Sequence, residues 1–310
     1  MAALNPNLER LTLHMCGRMD SSVLHEWTKS FRHLRRLELH APFLIREEAW
    51  VTFIRAKGPQ LTGLLITNAP RFTHDCLDAL TETAVNLTEL RLSELTKMED
   101  SWLKGIAQFT RITSLDLSSD RSGRISLTTD GVIELLKAVG GNLTLLNLDA
   151  NEELDDKVLV QGIALYCTAL ETLSLSLLPS LTDGGVAACF DSLPRTNLLT
   201  SLNFSRCHEV GSSALRAMLN HSKDTLQTLN INGCKDVDEE ALSLIGQVAP
   251  KLSELDVGWC RNVDDLVMSS LLMPKRGETN LKVINCFGCN RITHNCPKKV
   301  RPIMRSLWCH

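Results

Sequence analysis

The sequence lacks the features that mark a membrane protein, a secreted protein or a string of separate domains. No apolar stretch approaches the ~18 residues that a membrane helix needs, and the start, Met1–Pro6, has no basic end followed by a hydrophobic run. No linker rich in Gly, Ser or Pro interrupts the 310 residues. The net charge of −3 gives no bulk attraction to nucleic acid or to an acidic membrane. We therefore expect one uninterrupted domain over residues 1–310 and no membrane association.

Motifs of the common enzyme classes are also missing. The sequence contains no P-loop, no G-x-S-x-G and no H-E-x-x-H. None of the nine histidines pairs with an acidic residue at a spacing that suggests a catalytic helix. We therefore predict a protein that binds other molecules without catalysing a reaction and without a cofactor.

What the sequence does contain is a repeat. Residues 226–234 and 252–260 both read L-x-x-L-x-L-x-x-C, which is the leucine-rich-repeat pattern with cysteine in a position often held by asparagine. The ten steps between the first and last copies total 273 residues, a mean of 27.3, which is typical of this repeat class. Eleven copies begin at Leu8, Leu34, Leu61, Leu87, Ile112, Leu143, Leu170, Leu199, Leu226, Leu252 and Leu281.

The repeat pattern predicts the fold. Positions 4 and 6 of a copy, such as Leu229 and Ile231, point to one face of a strand, and position 5 points to the other. An acidic residue then precedes apolar residues at helical spacing, as at Asp238, which predicts an N-cap and a helix of two to three turns. The fold class is therefore α/β, a leucine-rich-repeat solenoid (a horseshoe) of about eleven strand-turn-helix repeats. Its parallel sheet would lie on the concave face and its helices on the convex face.

The ends and the long steps of the repeat carry further expectations. The last repeat and a C-terminal cap would occupy about 281–310, and an N-terminal cap or upstream region is expected to be missing before Leu8, since a solenoid needs terminal caps. Three turn-rich stretches, 119–123, 193–197 and 274–279, are predicted to be surface loops.

Cysteine usage bears on the compartment. The count of eleven is odd, and five of the residues (Cys16, Cys207, Cys234, Cys260 and Cys289) occupy position 9 of their copies. Strands spaced about 4.8 Å apart would allow the Cα separation of a disulfide, but side chains of a parallel ladder do not aim at each other. We predict buried thiols in a reducing, intracellular compartment. A secreted receptor ectodomain, the alternative, would need paired cysteines.

Two clusters near the C-terminus have a sharper and a plainer interpretation. Cys286, Cys289 and Cys296, with Cys309 and His310, could form a zinc knuckle. However, the first two are simply positions 6 and 9 of the last copy, so we predict no metal. The basic residues Lys298, Lys299, Arg301 and Arg305 fit a solvated cap face, a nuclear-import signal or a phosphate contact.

The concave face is the candidate binding surface. Position 5 of the copies forms a series that we name the polar strip: Thr12, Glu38, Leu65, Arg91, Asp116, Asn147, Ser174, Asn203, Asn230, Asp256 and Asn285. Such residues can be ordinary solvated side chains. An exposed Trp and Phe on adjacent strands are typical of protein contacts, although Trp259 could instead cover the last strand. The predicted partner site comprises Asn203, Arg206, Asn230, Asp256, Trp259 and Phe287.

The first third of the chain carries a family resemblance. The stretches 40–50 (HAPFLIREEAW), 66–72 (ITNAPRF), 90–95 (LRLSEL) and 287–293 (FGCNRIT) resemble the leucine-rich-repeat protein of fungal global-genome nucleotide excision repair. P-F-L-I-R-E-E-A-W is the most specific of them, and the resemblance covers essentially the whole chain.

The resemblance implies a function. It implies a non-enzymatic nuclear subunit that works with a Swi/Snf-type ATPase on damaged chromatin and touches DNA only indirectly. It also implies the substrate-facing part of an elongin-C and cullin ubiquitin ligase, and thus ubiquitin-dependent protein catabolism. The repeat pattern alone would equally fit an F-box/leucine-rich-repeat substrate receptor for cell-cycle or signalling proteins, which requires an F-box upstream.

Overall fold

The computed structural model describes residues 5–119, 127–273 and 279–293. By its internal contacts the chain divides into two compact units, Met1–Asn151 and Glu152–His310. Each unit is a series of strands joined by helices. The single domain over residues 1–310 remains a prediction.

The first unit contains six short strands that pair in chain order, and every pair is parallel. They are β1 Arg10–Leu13, β2 Arg36–His40, β3 Gly63–Thr67, β4 Glu89–Ser93, β5 Ser114–Asp116 and β6 Leu145–Asn147. The helices between them are α1 Ser21–Ser30, α2 Glu47–Lys57, α3 His74–Thr83, α4 Asp100–Ile106 and α5 Thr129–Val139. Two 3₁₀ turns, Gly58–Gln60 and Gly140–Asn142, follow α2 and α5.

The second unit continues the same pattern with parallel strands in chain order. They are β7 Thr172–Ser174, β8 Ser201–Asn203, β9 Thr228–Asn230, β10 Glu254–Asp256 and β11 Val283–Asn285. The helices are α6 Ala164–Tyr166, α7 Asp183–Ser192, α8 Ser212–Ser222, α9 Glu239–Val248 and α10 Asp265–Leu272. The predicted leucine-rich-repeat α/β solenoid is confirmed, with eleven strands at the eleven sequence copies within the described residues.

The strand register agrees with the template position by position. Leu229 pairs with Leu202 on one side and Leu255 on the other, all at position 4 of their copies. Leu229 and Ile231 are 0% and 1% exposed. Burying such side chains contributes about 1.5–3 kcal/mol each relative to leaving them in water, so stacking one repeat on the next is what stabilises an individual strand.

Helix starts follow the predicted capping chemistry. Asp238 precedes α9, and its Oδ1 accepts a hydrogen bond from the backbone N–H of Ala241 at 2.7 Å. Thr182 and Asp264 cap α7 and α10 in the same way. A first-turn carboxylate also serves the following repeat, because Asp156 Oδ1 accepts from the backbone N–H of Thr182 at 2.9 Å. Capping therefore links successive repeats as well as starting each helix.

One predicted helix differs in geometry. The segment after Asp155 is a π-helix over Val158–Ile163, which is followed by the α-helical turn Ala164–Tyr166. The stretch VLVQGI contains three β-branched residues and a glycine, which all have weak α-helix propensity. A wider turn is therefore less disfavoured here than in the other repeats.

The predicted loop at 193–197 is less superficial than expected. Leu193 is 3% and Asn197 4% exposed. The Asn197 side chain donates to the Cys167 carbonyl at 3.0 Å and accepts from the Leu170 backbone N–H, so it satisfies buried backbone groups in the segment that leads into β7. The loops at 119–123 and 274–279 lie largely outside the described residues.

The stretch that carried the family resemblance builds an aromatic core. Ile45 and Trp50 are fully buried, whereas Phe43 is 42% exposed. The Trp50 ring lies 5.5 Å from that of Phe72, which in turn lies 6.4 Å from the ring of Trp102. Large aromatic side chains from three successive repeats thus pack beneath the helices of the first unit.

Candidate partner-binding surface

The polar strip residues build the turns that end the strands. In the second unit, the side-chain oxygens of Asn203, Asn230, Asp256 and Asn285 each accept a hydrogen bond from the backbone N–H two residues on, at distances of 3.1, 3.0, 2.9 and 3.1 Å. Asp116 and Asn147 do the same in the first unit. This Asx turn explains why short polar side chains recur at position 5.

Position 8 of most copies adopts the left-handed backbone conformation. Arg206 and Trp259 have φ of 61° and 59°, and Gly233 and Gly288 have φ of 77° and 76°. In this conformation the Arg206 backbone N–H donates to the Asn232 carbonyl at 2.6 Å, and the Trp259 N–H donates to the Phe287 carbonyl at 2.7 Å. The turn therefore continues the interstrand ladder while projecting the position-8 side chain outward.

Trp259 and Phe287 form an exposed aromatic pair. Their ring centroids are 5.5 Å apart with an interplanar angle of 71°, and the residues are 52% and 49% exposed. The pair depends on Gly288, because a Cβ at that position would lie 2.5 Å from the Trp259 ring. Edge-to-face packing holds the two rings in a defined arrangement while leaving about half of each in solvent.

The polar members of the predicted site lie side by side. Asn203, Asn230 and Asp256 are register partners on β8, β9 and β10. The Asp256 carboxylate accepts from the side-chain amides of Asn232 and Asn285, at 3.0 and 2.9 Å. The Asn203 amide donates to the Ser174 hydroxyl at 2.9 Å. The strip is therefore a pre-organised network of hydrogen bonds.

The six predicted residues fall in the second unit, on neighbouring repeats. Arg206 is exposed at the turn after β8 and contacts the turn after β9 through the hydrogen bond from its backbone N–H to the Asn232 carbonyl. Trp259 and Phe287 follow β10 and β11. The arrangement presents one aromatic pair, one guanidinium and a row of amide and carboxylate groups, which are the components of protein interface cores and rims. That a partner binds there remains a prediction.

Sequence reasoning missed a charge network in the first unit. Arg91 of β4 contacts Glu38 of β2 and Asp116 of β5, both at 2.9 Å. Arg36 of β2 contacts Glu38 at 2.9 Å and reaches Glu89 of β4 at 2.8 Å. We name these five residues the charge network. The clue in the sequence was the opposite charge sign at positions 3 and 5 of the second and fourth copies, with a further acidic residue at position 5 of the fifth copy.

The ion pairs of the charge network join β2 directly to β4, across the intervening strand β3. Arg36 can pass over that strand because position 3 is Gly63, where a Cβ would lie 2.9 Å from the Arg36 side chain. Burial alone raises the pKa of Glu38, but hydrogen bonds from His40 and Arg36 and the charges of Arg36 and Arg91 outweigh it and hold the pKa at about 2. Glu38 therefore stays ionised as the centre of the network.

The position-9 cysteines are buried thiols that bond to the preceding repeat. Cys207, Cys234, Cys260 and Cys289 each donate to a position-6 carbonyl of the repeat before, at 2.9 to 3.3 Å. Burial raises the pKa of the Cys260 thiol to about 12, so it is not a reactive thiolate. Asn151 takes the same role in the sixth copy through its amide.

The cysteine cluster and the basic cluster predicted near the C-terminus lie mostly outside the described residues. Cys296, Cys309, His310 and the basic residues 298–305 lie outside the described residues. Among the residues that are described, no group of three or more His, Cys, Asp or Glu side chains could hold a metal ion. In that same part of the chain, no helix has both the length and the apolar character needed to cross a membrane.

Comparison with known proteins connects this geometry to a family. No protein-family model matches the chain. It is 32% identical over 262 residues to the DNA repair protein rhp7 of Schizosaccharomyces pombe, covering 84% of this chain and 46% of the relative. It is 30% identical over 303 residues to the DNA repair protein RAD7 of Saccharomyces cerevisiae, covering 94% of this chain and 52% of the relative.

A solved structure gives the same answer. Yeast Rad7, in its crystal structure with Elc1, superposes with a TM-score of 0.87 at 27% identity, covering 99% of this chain and 75% of that chain. This chain is a homologue of the Rad7 and rhp7 DNA repair proteins. The family resemblance inferred from the sequence is thereby confirmed. The chain spans about half the length of the curated relatives that it matches.

Proposed function

We propose that this chain is the protein-binding repeat region of a nuclear ubiquitin-ligase subunit that acts in nucleotide excision repair. The observation that carries the proposal is the likeness to Rad7 over 99% of the chain, in a structure where Rad7 is in complex with Elc1. The repair role of both curated relatives supports it further. In this role the chain is a scaffold, without catalytic residues of its own.

Of the proposed partners, the adaptor is supported by the Rad7–Elc1 structure, and the ATPase comes from the family resemblance of the sequence. An elongin-C-type adaptor would connect the protein to a cullin, and a Swi/Snf-type ATPase would bring it to damaged chromatin. The protein would then contribute to ubiquitin-dependent catabolism by selecting the target.

The target or ATPase surface, in our proposal, is the strand surface of the second unit. Trp259 and Phe287 would supply the anchors, because aromatic residues that become buried dominate interface energetics. Arg206 and Asp256 would fix orientation at the rim, and Asn203 and Asn230 would supply hydrogen bonds from a network that is already ordered.

Affinity purification of the tagged protein from its source cells, followed by quantitative mass spectrometry, tests the assignment. We expect recovery of an elongin-C-type adaptor, a cullin and a Swi/Snf-type ATPase above an untagged control. Recovery of a Skp1-type adaptor in their place would support the F-box receptor instead. Recovery of none of these proteins would overturn the proposal.

A further inference from the structure

A groove with unusual charge lies on the first unit, far along the chain from the proposed partner residues. It has a volume of about 490 Å³ and is lined by Arg32, His33, Arg35 and Arg111, together with neutral residues of the intervening repeats. Arg32, Arg35 and Arg111 are all exposed. They follow α1 and α4 and lead into β2 and β5, where helices end and strands begin. We name this feature the arginine groove.

The guanidinium groups of the arginine groove differ from those of Arg36 and Arg91 in that no carboxylate within the described ranges neutralises them. Arg36 and Arg91 are neutralised within the charge network. By contrast, Arg32, Arg35 and Arg111 make no carboxylate salt bridge within the described ranges, and no acidic side chain lines the groove. Three full positive charges therefore face a common space without a counter-charge from the described protein.

Helix ends do not account for these arginines. Helix C-termini carry partial negative charge and attract cations, but other side chains already serve the carbonyls at this edge. Lys57 donates to the Phe31 carbonyl, Gln60 to that of Leu34 at 2.9 Å, and Asn86 to that of Pro59 at 3.0 Å. Arg111 donates from its guanidinium to the neutral side-chain oxygen of Asn86, at 3.1 Å. Its charge stays available for a ligand.

We propose that the arginine groove binds the phosphodiester backbone of a nucleic acid. Pro59 is the one apolar residue in the lining, whereas protein interfaces are usually anchored by aromatic side chains that become buried. The guanidinium, amide and hydroxyl groups in the lining are among those that most often contact phosphate and sugar in protein–DNA complexes. Because the net charge of the chain is −3, attraction is local. Binding is therefore weak, independent of sequence and strongly dependent on salt.

Fluorescence anisotropy of the full chain with a labelled 20-nucleotide DNA, single-stranded and duplex, tests the proposal at 50 and 200 mM salt. The test variant changes Arg32, Arg35 and Arg111 together to Gln. The matched control changes Arg55, Arg216 and Arg291 to Gln, since each of these is paired with a carboxylate. Both variants lower the net charge by the same amount.

We expect the test variant to weaken binding by about tenfold or more and to reduce the slope of log affinity against log salt by about two to three. The control should change affinity by less than about threefold. Equal losses in the two variants, or no loss in either, would overturn the proposal. Binding of a polyglutamate peptide as tight as that of DNA would also overturn it and would indicate an acidic-peptide site. Competition by pyrophosphate at the same phosphate concentration would overturn it as well and would indicate a small-anion site. A lowered melting temperature with unchanged binding would show that the arginines act only at helix ends.

Discussion

At the residue scale, adjacent positions of one strand should respond very differently to truncation. Leu229→Ala removes a fully buried side chain and should lower the free energy of unfolding by about 2–5 kcal/mol through lost burial and the cavity left behind. Asn230→Ala removes the turn acceptor for the Asn232 backbone N–H and should cost only about 1 kcal/mol. Urea unfolding of both variants measures the difference. Equal losses would mean that the strand register is wrong.

Two glycines in equivalent turns offer a second residue-scale test. Gly233 and Gly288 both have φ near +77°, so Ala at either position should cost about 1 kcal/mol in backbone strain. A Cβ on Gly233 meets its nearest neighbour at 3.6 Å, but a Cβ on Gly288 would lie 2.5 Å from the Trp259 ring. Gly288→Ala should therefore also displace that ring and shift the tryptophan emission spectrum. Identical spectra for the two variants would contradict the described aromatic pair.

At the element scale, the charge network couples strands that are not neighbours in the sheet. Glu38 has a pKa of about 2 against an ordinary value of 4.5. Its stabilising contribution is therefore complete above pH 4.5 and is lost as the pH falls toward 2. We expect Glu38→Gln to lower the free energy of unfolding by about 1–3 kcal/mol near neutral pH, and this difference should shrink below pH 4.5.

Urea unfolding at several pH values between 7 and 3.5 measures this effect. Glu240→Gln is the control, because the Glu240 side chain is 90% exposed and such surface charges contribute little. A Glu38→Gln difference that stayed constant over the whole range would be inconsistent with an ionised Glu38 at the centre of the network.

Sequence periodicity predicted the elements well for a physical reason. Positions 4 and 6 carry apolar residues in all eleven copies, because burial between neighbouring repeats constrains each of them separately. Asp238 and Thr182 indicate helix starts because an N-cap side chain bonds to a backbone N–H only three residues further along the chain. The charge network was not predictable in the same way. Arg36 reaches Glu89 across 53 residues, and that contact depends on Gly63 leaving room in the intervening strand.

The candidate site was predictable in composition but not in conformation. The template places Asn203, Asn230 and Asp256 on one face, and the structure pairs them in register. The template does not reveal that Arg206 and Trp259 adopt left-handed backbone conformations. Nor does it reveal that polar-strip side chains already accept hydrogen bonds from backbone N–H groups in the turns that end the strands. The left-handed conformations depend on hydrogen bonds to the next repeat, and the sequence of a single copy gives no information about such bonds.

At the scale of the whole molecule, we propose that this Rad7 homologue is a scaffold whose strand surface in the second unit binds a repair partner. The double variant Trp259→Ala, Phe287→Ala removes the anchors and leaves the core residues Leu255 and Ile284 in place. We expect the melting temperature to change little, because each ring is about half exposed. A collapse of melting would mean that the two aromatics form a terminal cap.

The measurement that tests this account most directly is quantitative co-purification with three forms of the protein. They are the native chain, the Trp259→Ala, Phe287→Ala variant, and a control variant with Leu165→Ala and Leu266→Ala, which removes two helix side chains that are 61% and 76% exposed. We expect the aromatic variant to lose the Swi/Snf-type ATPase or the ubiquitylation target by about thirtyfold, equivalent to ~2 kcal/mol, while the control retains both. Recovery of every partner at the native level by the aromatic variant would contradict it.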